Sequence, residues 1–189
     1  MKTRNTMDNR TYFRHEVEWG EPSRSIMIRE QSFALYNRMR LKGFFHRFFK
    51  NLLRKPCELF PLTAFVQEGT AVNMVEIGVH AIPLRLVIGS ENRCQDYDDN
   101  FAPKSERNHQ RWLCISDLFL RGDHVPAVEL VQLGIYYFVR DGHHRISVAK
   151  ALGMEFIDAK VVVMQMKEKA FQTAMIKTQH LALNLIEGK

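Results

Sequence analysis

A strand-to-helix turn in the last third of the chain constrains the fold more than any other feature. A run of strand-forming residues, 135–139, leads through Asp141 and Gly142 into a helix-like run, 146–152, that ends at Gly153. A helix that begins directly after a strand presents free backbone N–H groups and the positive end of its dipole at one point. The pattern therefore predicts an anion site at this turn.

The residues of the turn suit a phosphate ligand. Gly142 permits a positive φ and a close approach of the ligand to the backbone. Arg145 adds a planar fork of donors that fits phosphate oxygens. His143 or His144 can donate an imidazole N–H to phosphate, and this contact strengthens as the pH falls through about 6.5. The candidate nucleotide-binding residues are Gly142, His143, His144 and Arg145.

Simpler roles for the same turn are also open. Arg145 can make a structural ion pair, for example with Asp98 or Asp99. Asp141 can act only as a helix cap, because an Asp side chain at that position accepts a backbone N–H bond. The sequence alone does not choose between these roles and phosphate binding.

The cysteines and the remaining histidines form no metal-binding pattern. Cys57, Cys94 and Cys114 are odd in number and widely spaced, so we expect neither a disulfide framework nor a thiolate metal site. A reducing cytoplasm is the expected location. Asp123 and His124 lie on a distant loop, and the neighbouring histidines of the turn would point about 100° apart on a helix. The sequence therefore assigns no metal site.

The chain divides into four regions. The hydrophobic share of 46% in 189 residues predicts a packed core, and no run approaches the roughly 18 apolar residues of a membrane span. Residues 1–22 are predicted to be a poorly ordered polar leader. A basic helical segment, 23–73, follows and is expected to bend or break near Gly43. A core, 74–164, and a C-terminal helix, 165–189, complete the chain.

The core is expected to alternate strands and helices. A long polar loop, 89–110, holds an acidic group (Asp96, Asp98 and Asp99) among basic residues (Arg93, Lys104, Arg107 and Arg111). We expect a charge-balanced, solvated loop, with a lid over a nucleotide as the alternative. The other predicted elements are an extended run at 74–88, a helix at 112–120 with Trp112 in the core, a hairpin of 126–133 and 135–139, and a strand at 156–163.

Positive charge is concentrated in one part of the helical segment. The net charge is +6, and seven Lys or Arg but no Asp or Glu lie between Gln31 and Cys57. Phenylalanine and leucine recur there at helical spacing on one face, and cations recur on another. The rest of the chain is close to neutral, so the basic character belongs to this segment.

Three roles are open for the basic stretch 38–55. The helix can pack its phenylalanine face on the core, with its cations in water. It can instead contact the backbone of DNA or RNA through Arg47, Lys50 and Arg54. It can also lie on an anionic membrane surface, which requires the phenylalanine face to be free.

The order of strand, Asp-Gly-His-His-Arg turn, helix closing on Leu-Gly, and further strand resembles the ParB/sulfiredoxin superfamily. The resemblance covers residues 82–163. In ParB-type proteins the turn reads Gly-Glu-Arg-Arg, and a helix with Ala-Lys and a closing Gly follows. The matching positions here are Gly142, Arg145, Ala149, Lys150 and Gly153. This resemblance implies an α+β fold with a mixed sheet, and a phosphate-binding turn that takes CTP in a ParB-like switch.

The chain also departs from both named branches. His143-His144 replaces ParB's Glu-Arg pair, and Ser147 stands where a further arginine is found. Sulfiredoxin has a catalytic cysteine directly after the glycine, where this chain has His143, so sulfiredoxin activity is not expected. Only 26 residues follow Val163, fewer than a helix-turn-helix domain needs, so we do not expect a complete partition protein.

The turn is also similar to that of the archaeal free serine kinases, where Asp-Gly-His-His-Arg occurs in the same form. In that family the motif Asp and a Glu after the first strand are implicated in phosphoryl transfer. The resemblance implies Asp141 and Glu91 as the catalytic residues. Those kinases carry a further domain that helps to form the serine site, so serine itself is not the expected substrate.

The sequence thus predicts an α+β domain with a ParB/sulfiredoxin-like mixed sheet, preceded by a basic helical N-terminal segment. The expected ligand is a nucleoside triphosphate, CTP or ATP, with Mg²⁺. One hypothesis is a nucleotide-dependent switch that associates with DNA or RNA through the basic segment. The other is a small-molecule phosphotransferase that acts through Asp141 and Glu91.

Overall fold

The computed structural model describes residues 22–66, 71–166, 172 and 176, and it has the predicted α+β architecture. A mixed six-stranded sheet is accompanied by three helices in these residues, and the longest helix comes first, as expected. The elements are α1 (Pro22–Leu52), β1 (Phe60–Pro61), β2 (Ala71–Pro83), β3 (Val87–Ser90), α2 (His109–Arg121), β4 (Val128–Leu133), β5 (Tyr136–Asp141), α3 (His143–Ala151) and β6 (Phe156–Met166).

The sheet brings the ends of two parallel strands together. Its strand order is β1-β3-β5-β4-β6-β2. Strands β1, β3 and β5 run parallel, β4 is antiparallel to β5, β6 is parallel to β4, and β2 is antiparallel to β6. Because β3 and β5 are parallel neighbours, their carboxyl ends lie at one edge of the sheet. Ligands of open α/β sheets bind at such edges.

The core lies on both faces of the sheet and between the helices. Val139 and Phe138, neighbours on β5, are fully buried in two separate apolar clusters, as alternation along a strand requires. A third cluster joins the helices through Tyr36, Trp112 and Val148. Trp112, expected in the core, is 1% exposed, and its indole N–H donates to the Ser147 hydroxyl at 2.9 Å.

The predicted hairpin is confirmed, and the neighbouring elements differ from prediction in instructive ways. The extended run 74–88 is two strands, because a 3-10 turn at Leu84–Leu86 separates β2 from β3. These strands then take distant places in the sheet. Helix α3 begins three residues earlier than predicted, so His143 to Arg145 form its first turn.

The outer regions of the chain are described only in part. Residues 1–21 of the predicted leader lie outside the described residues, and α1 begins at Pro22. The predicted helical segment 23–73 is helical to Leu52, and the sheet then takes in Phe60–Pro61 and the start of β2. Strand β6 continues through Met166, and the predicted helix beyond it lies almost wholly outside the described residues.

At two points α1 decides between alternatives that the sequence left open: the helix does not break at Gly43, and its phenylalanine face stays in solvent. The helix is continuous at Gly43, where the missing side chain lets α1 approach the loop after β3: a Cβ there would lie 2.6 Å from the Ala102 Cβ. The phenylalanine face does not pack on the core, because the opposite face makes ion pairs with that loop. Phe44, for example, is 57% exposed. None of the described helices has the length and apolarity that crossing a membrane requires.

Replacing Gly43 with alanine tests this close approach. Alanine normally favours a helix by about 1 kcal/mol over glycine. Here we expect Gly43→Ala to lower the free energy of unfolding by about 1–3 kcal/mol, because the added methyl overlaps Ala102. Urea unfolding measures the change, with the exposed Asn37→Ala on the same helix as control. A stabilised Gly43→Ala variant would contradict the described packing.

Candidate functional site

A cavity of about 310 Å³ lies where α3 begins. One wall is the loop between β3 and α2, and the other walls come from α1, α2 and the first turn of α3. This volume is at the lower end of the range for small-molecule sites. The lining residues are Tyr36, Arg93, Asp96, Tyr97, Pro103, Ser105, Arg107, Asn108, Trp112 and His144.

Glycine at position 142 creates the sharp turn from β5 into α3. Gly142 has φ of +99°, and a Cβ there would lie 2.6 Å from the Val128 Cγ1. No side chain caps the helix, and Ile146 donates the helical bond to the Gly142 carbonyl. The earlier N–H groups of the first turn therefore have no partner within the helix. An anion site at this turn stays a prediction.

The two histidines of the turn have different roles. The His143 ring is buried, lies 2.7 Å from the Ser90 hydroxyl through Nε2, and stacks on Tyr97 with centroids 5.7 Å apart. His144 is also buried, but it lines the cavity. Of the pair, the structure therefore brings His144 to the cavity and holds His143 behind it.

Both histidines are neutral at physiological pH. Burial, followed by the positive charge of Arg93, lowers the pKa of His143 to about 4. Burial, Arg111 and Arg93 lower the pKa of His144 to about 4. The pKa values of both histidines therefore lie below the expected value of about 6.5. A neutral His144 can still donate one N–H to a ligand.

The guanidinium group of Arg145 donates hydrogen bonds to other groups of the protein. One of its terminal nitrogens donates to the carbonyls of Pro126 and Ala127, at 2.8 and 2.7 Å. The other donates to Asp141 at 2.6 Å. Its ion-pair partner is thus Asp141, not Asp98 or Asp99, and the Asp141 side chain does not cap α3. Arg145 thus links the first turn of α3 to the residues directly before β4. It is not among the residues that line the cavity.

The two predicted catalytic carboxylates lie at the same edge of the sheet. Asp141 ends β5, and Glu91 directly follows β3, where its N–H donates to the Val139 carbonyl at 3.0 Å. Arg140 holds both carboxylate oxygens of Glu91, at 2.8 and 3.3 Å. Neither acid lines the cavity, so the fold brings the pair to one edge but not into the described pocket.

The cavity has polar groups that the sequence analysis did not assign. Arg93 and Arg107 are exposed at its rim, and neither makes an ion pair with a described residue. The hydroxyl of Tyr36 is buried and has no hydrogen-bond partner among the described residues. In the sequence, Arg93 and Arg107 stand out only as members of a charged loop. Tyr36 gave no signal, because it lies on α1, more than a hundred positions before the turn.

A buried carboxylate anchors the loop that carries these arginines. Asp98 is 0% exposed and accepts N–H bonds from Asn100 and Ala102, at 3.0 and 2.8 Å. Arg47 donates to its other oxygen at 3.0 Å. Burial raises the pKa of Asp98, and these bonds work in the opposite direction. The expectation of a solvated acidic loop is therefore wrong for Asp98.

The neighbouring Asp99 also holds α1. Lys50 lies 2.8 Å and His46 2.6 Å from its oxygens. Burial disfavours the charged form, but the hydrogen bonds from Lys50 and His46 hold the pKa of Asp99 below its usual range. Arg47 and Lys50, predicted to contact nucleic acid, thus point toward this loop, while Arg54 is exposed. Nucleic-acid contact by these residues stays a prediction.

His46, Cys57 and Asp99 offer a metal-like arrangement, with ligand atoms within 4.8 Å of one another. Burial, followed by the charges of Asp99 and Asp98, raises the pKa of Cys57 to about 11, so its thiol is protonated at neutral pH. The Lys50 ammonium already occupies one oxygen of Asp99. Both features oppose a cation, because a metal needs the thiolate and competes with the ammonium.

The lowered histidine pKa values predict acid sensitivity. Below about pH 6.5 the unfolded chain binds a proton on each histidine, whereas the folded chain does so only near pH 4. The contribution of the two neutral histidines to the free energy of unfolding is therefore fully present above about pH 6.5, and it is lost as the pH decreases toward 4. Between about pH 7.5 and about pH 5 we expect a loss of about 2 kcal/mol per histidine.

Urea unfolding at the two pH values measures this loss. His144→Gln removes one titrating group, so its loss between the two pH values should be smaller than that of the unsubstituted protein by about 2 kcal/mol. The exposed His124→Gln serves as the control and should leave the loss unchanged. Equal losses in His144→Gln and the unsubstituted protein would contradict the neutral, buried state of His144.

The chain was compared with known protein families, curated proteins and solved structures. No protein-family model matches the chain, and no curated protein matches it in sequence. Among solved structures, the chain is similar to sulfiredoxin from Arabidopsis thaliana, with 16% identity and a TM-score of 0.31. The match covers 51% of this chain and 96% of that one. A score this low supports no argument, so the fold assignment depends on the observed elements and sheet order.

Proposed function

We propose that this chain binds a phosphate-bearing ligand, specifically a nucleoside triphosphate, in the cavity beside α3. The observation that carries the proposal is the convergence of unused donors on one cavity. They are the guanidinium groups of Arg93 and Arg107, the ring of His144 and the hydroxyl of Tyr36. An anion with several oxygens satisfies such a set, and phosphate is the common biological example.

The Tyr36 hydroxyl is the most specific of these groups. A buried polar group without a partner costs about 1–3 kcal/mol, so such groups are uncommon in folded proteins. The ring of Tyr36 is held in the core against Trp112, with centroids 5.1 Å apart. The hydroxyl therefore cannot turn to solvent without moving the ring. Tyr36 lines the cavity, so a ligand oxygen that displaces the groups covering this hydroxyl would accept its hydrogen bond.

The nucleotide identity of the ligand has separate support. The resemblance of the turn to ParB-type proteins favours CTP, and its resemblance to free serine kinases favours ATP. Asp96 adds a carboxylate to the cavity wall that would hold Mg²⁺, and the ion would balance the negative charge of the ligand phosphates. The short strand-to-helix turn supplies the uncapped N-terminus of α3. These features together favour a triphosphate with Mg²⁺ over a small carboxylate.

Calorimetric titration with CTP, ATP, ADP and GTP in the presence of Mg²⁺ tests the proposal. We expect one triphosphate to bind, and we expect Tyr36→Phe to weaken that binding by about 3- to 10-fold, the effect of one hydrogen bond. Arg93→Ala with Arg107→Ala should weaken it at least about 100-fold, because two charge-assisted contacts are lost. Arg121→Ala, which removes an exposed charge at the far end of α2, is the control.

The stability of Tyr36→Phe separates a ligand-binding hydroxyl from a merely structural one. Without ligand, removing an unpartnered hydroxyl should leave the protein equally stable or more stable. Weaker nucleotide binding without loss of stability supports the proposal. No binding of any nucleotide by the full chain, or binding that is unchanged in the arginine double variant, would overturn it.

A phosphotransferase is the second candidate, favoured by the position of Asp141 and Glu91 at the carboxyl ends of two adjacent parallel strands, where Asp141 ends β5 and Glu91 follows β3. In such an enzyme Asp141 would accept the proton of an acceptor hydroxyl, and Arg145 would orient its carboxylate at 2.6 Å. We expect Asp141→Asn to abolish phosphoryl transfer while nucleotide binding is retained. Nucleotide consumption measured with a panel of small alcohols checks this. Equal turnover in the variant would exclude Asp141 as the base.

A further inference from the structure

The C-terminal half of α1 exposes an unusual amount of apolar surface. Seven large apolar side chains between residues 41 and 53 are each 49–69% exposed. We call this set the apolar stripe. Its members are Leu41, Phe44, Phe45, Phe48, Phe49, Leu52 and Leu53. Contiguous exposed patches of this kind mark interaction sites on folded proteins.

The rest of the fold fixes the outward direction of the stripe. At 3.6 residues per turn, its helical members, residues 41–52, span about 140° of the circumference of α1. The opposite face carries Gly43, Arg47 and Lys50, which contact the loop after β3. Turning the stripe inward would break both ion pairs and leave Asp98 buried without its cation. The stripe is therefore a stable outer surface.

The charged residues beside the stripe on α1 and at its end are all positive. The exposed residues Arg38 and Lys42 lie at one side of it on α1, and Arg54 and Lys55 lie at the end of the helix. None of the four makes an ion pair with a described residue. No Asp or Glu occurs between Gln31 and Cys57. A partner for this surface must therefore offer apolar contact and negative charge together.

Among the described residues, none covers the stripe with apolar and acidic groups together. Residues 1–21 hold four basic and four acidic residues, and residues 167–189 hold four basic and two acidic ones. Taken as a whole, neither end therefore carries a net negative charge. A second copy would bring the same cations face to face, which is unfavourable. The charge pattern thus points to an external, anionic partner.

We propose that the apolar stripe docks on the surface of an anionic lipid membrane. Phenylalanine and leucine side chains enter the boundary between headgroups and acyl chains, and the bordering Lys and Arg contact lipid phosphates. This mode lays α1 along the interface and does not require it to span the bilayer. Nucleic acid fits less well, because its backbone offers nothing to the leucines, which do not stack on bases as aromatic rings do.

Vesicle co-sedimentation of the full chain tests the proposal. The unsubstituted protein should bind vesicles with about 30% phosphatidylserine and not neutral phosphatidylcholine vesicles. The double variant Phe48→Ser with Phe49→Ser should lose at least tenfold in binding. Its matched control, Ile135→Ser, removes an equally exposed apolar side chain from the hairpin turn.

A variant with fewer positive charges tests the proposal independently. Arg54→Gln with Lys55→Gln changes exposed groups beyond the end of α1, and it should weaken binding to anionic vesicles several-fold. Arg121→Gln is its control. Circular dichroism of each variant should match the unsubstituted protein, because every replaced side chain is exposed.

Three outcomes would overturn the proposal. The first is no binding to anionic vesicles, which would mean that the stripe is covered in solution. The second is a dimer in sedimentation experiments without lipid that Phe48→Ser with Phe49→Ser dissociates, which would assign the stripe to a second copy. The third is vesicle binding that the phenylalanine variant leaves unchanged, with salt-sensitive oligonucleotide binding that it abolishes.

Discussion

The buried carboxylate of Asp98 is the constraint on which the functional surfaces of this protein depend. Asp98 is inaccessible to solvent, and its charge is balanced by two backbone N–H groups of its own loop and by Arg47 of α1. A buried charge without such partners would cost several kcal/mol. The loop after β3 and the C-terminal half of α1 are therefore held together through this one group.

Two consequences follow on opposite sides of α1. On the inner side, the anchored loop places Arg93, Asp96 and Arg107 around a cavity that is also lined by His144 and Tyr36. On the outer side, the helix face that remains in solvent is the apolar stripe with its positive border. The proposed ligand site and the proposed docking surface thus share one helix, which contributes Tyr36 to the cavity and the phenylalanines to the outside.

The sequence predicted the parts of the fold that local pattern determines. The hairpin of β4 and β5, the helix after Gly142 and the buried Trp112 follow from periodicity and turn residues. The face of α1 that turns inward did not follow, because phenylalanines favour burial and the sequence does not reveal that Asp98 is buried. The sequence also does not reveal that Arg145 donates to the carbonyls of Pro126 and Ala127, because these partners lie far from it along the chain. Long-range polar contacts determine both the inward face of α1 and the partners of Arg145.

A double-mutant cycle between Arg47 and Asp98 tests this account most directly. The free energy of unfolding would be measured for the unsubstituted protein, Arg47→Met, Asp98→Asn and the double variant. The account predicts a coupling energy of about 1–3 kcal/mol, since Arg47→Met leaves the buried Asp98 carboxylate without its charged partner, and Asp98→Asn leaves the half-buried Arg47 without its own. Additive effects, with a coupling near zero, would contradict it, because α1 would then be oriented by something other than this pair.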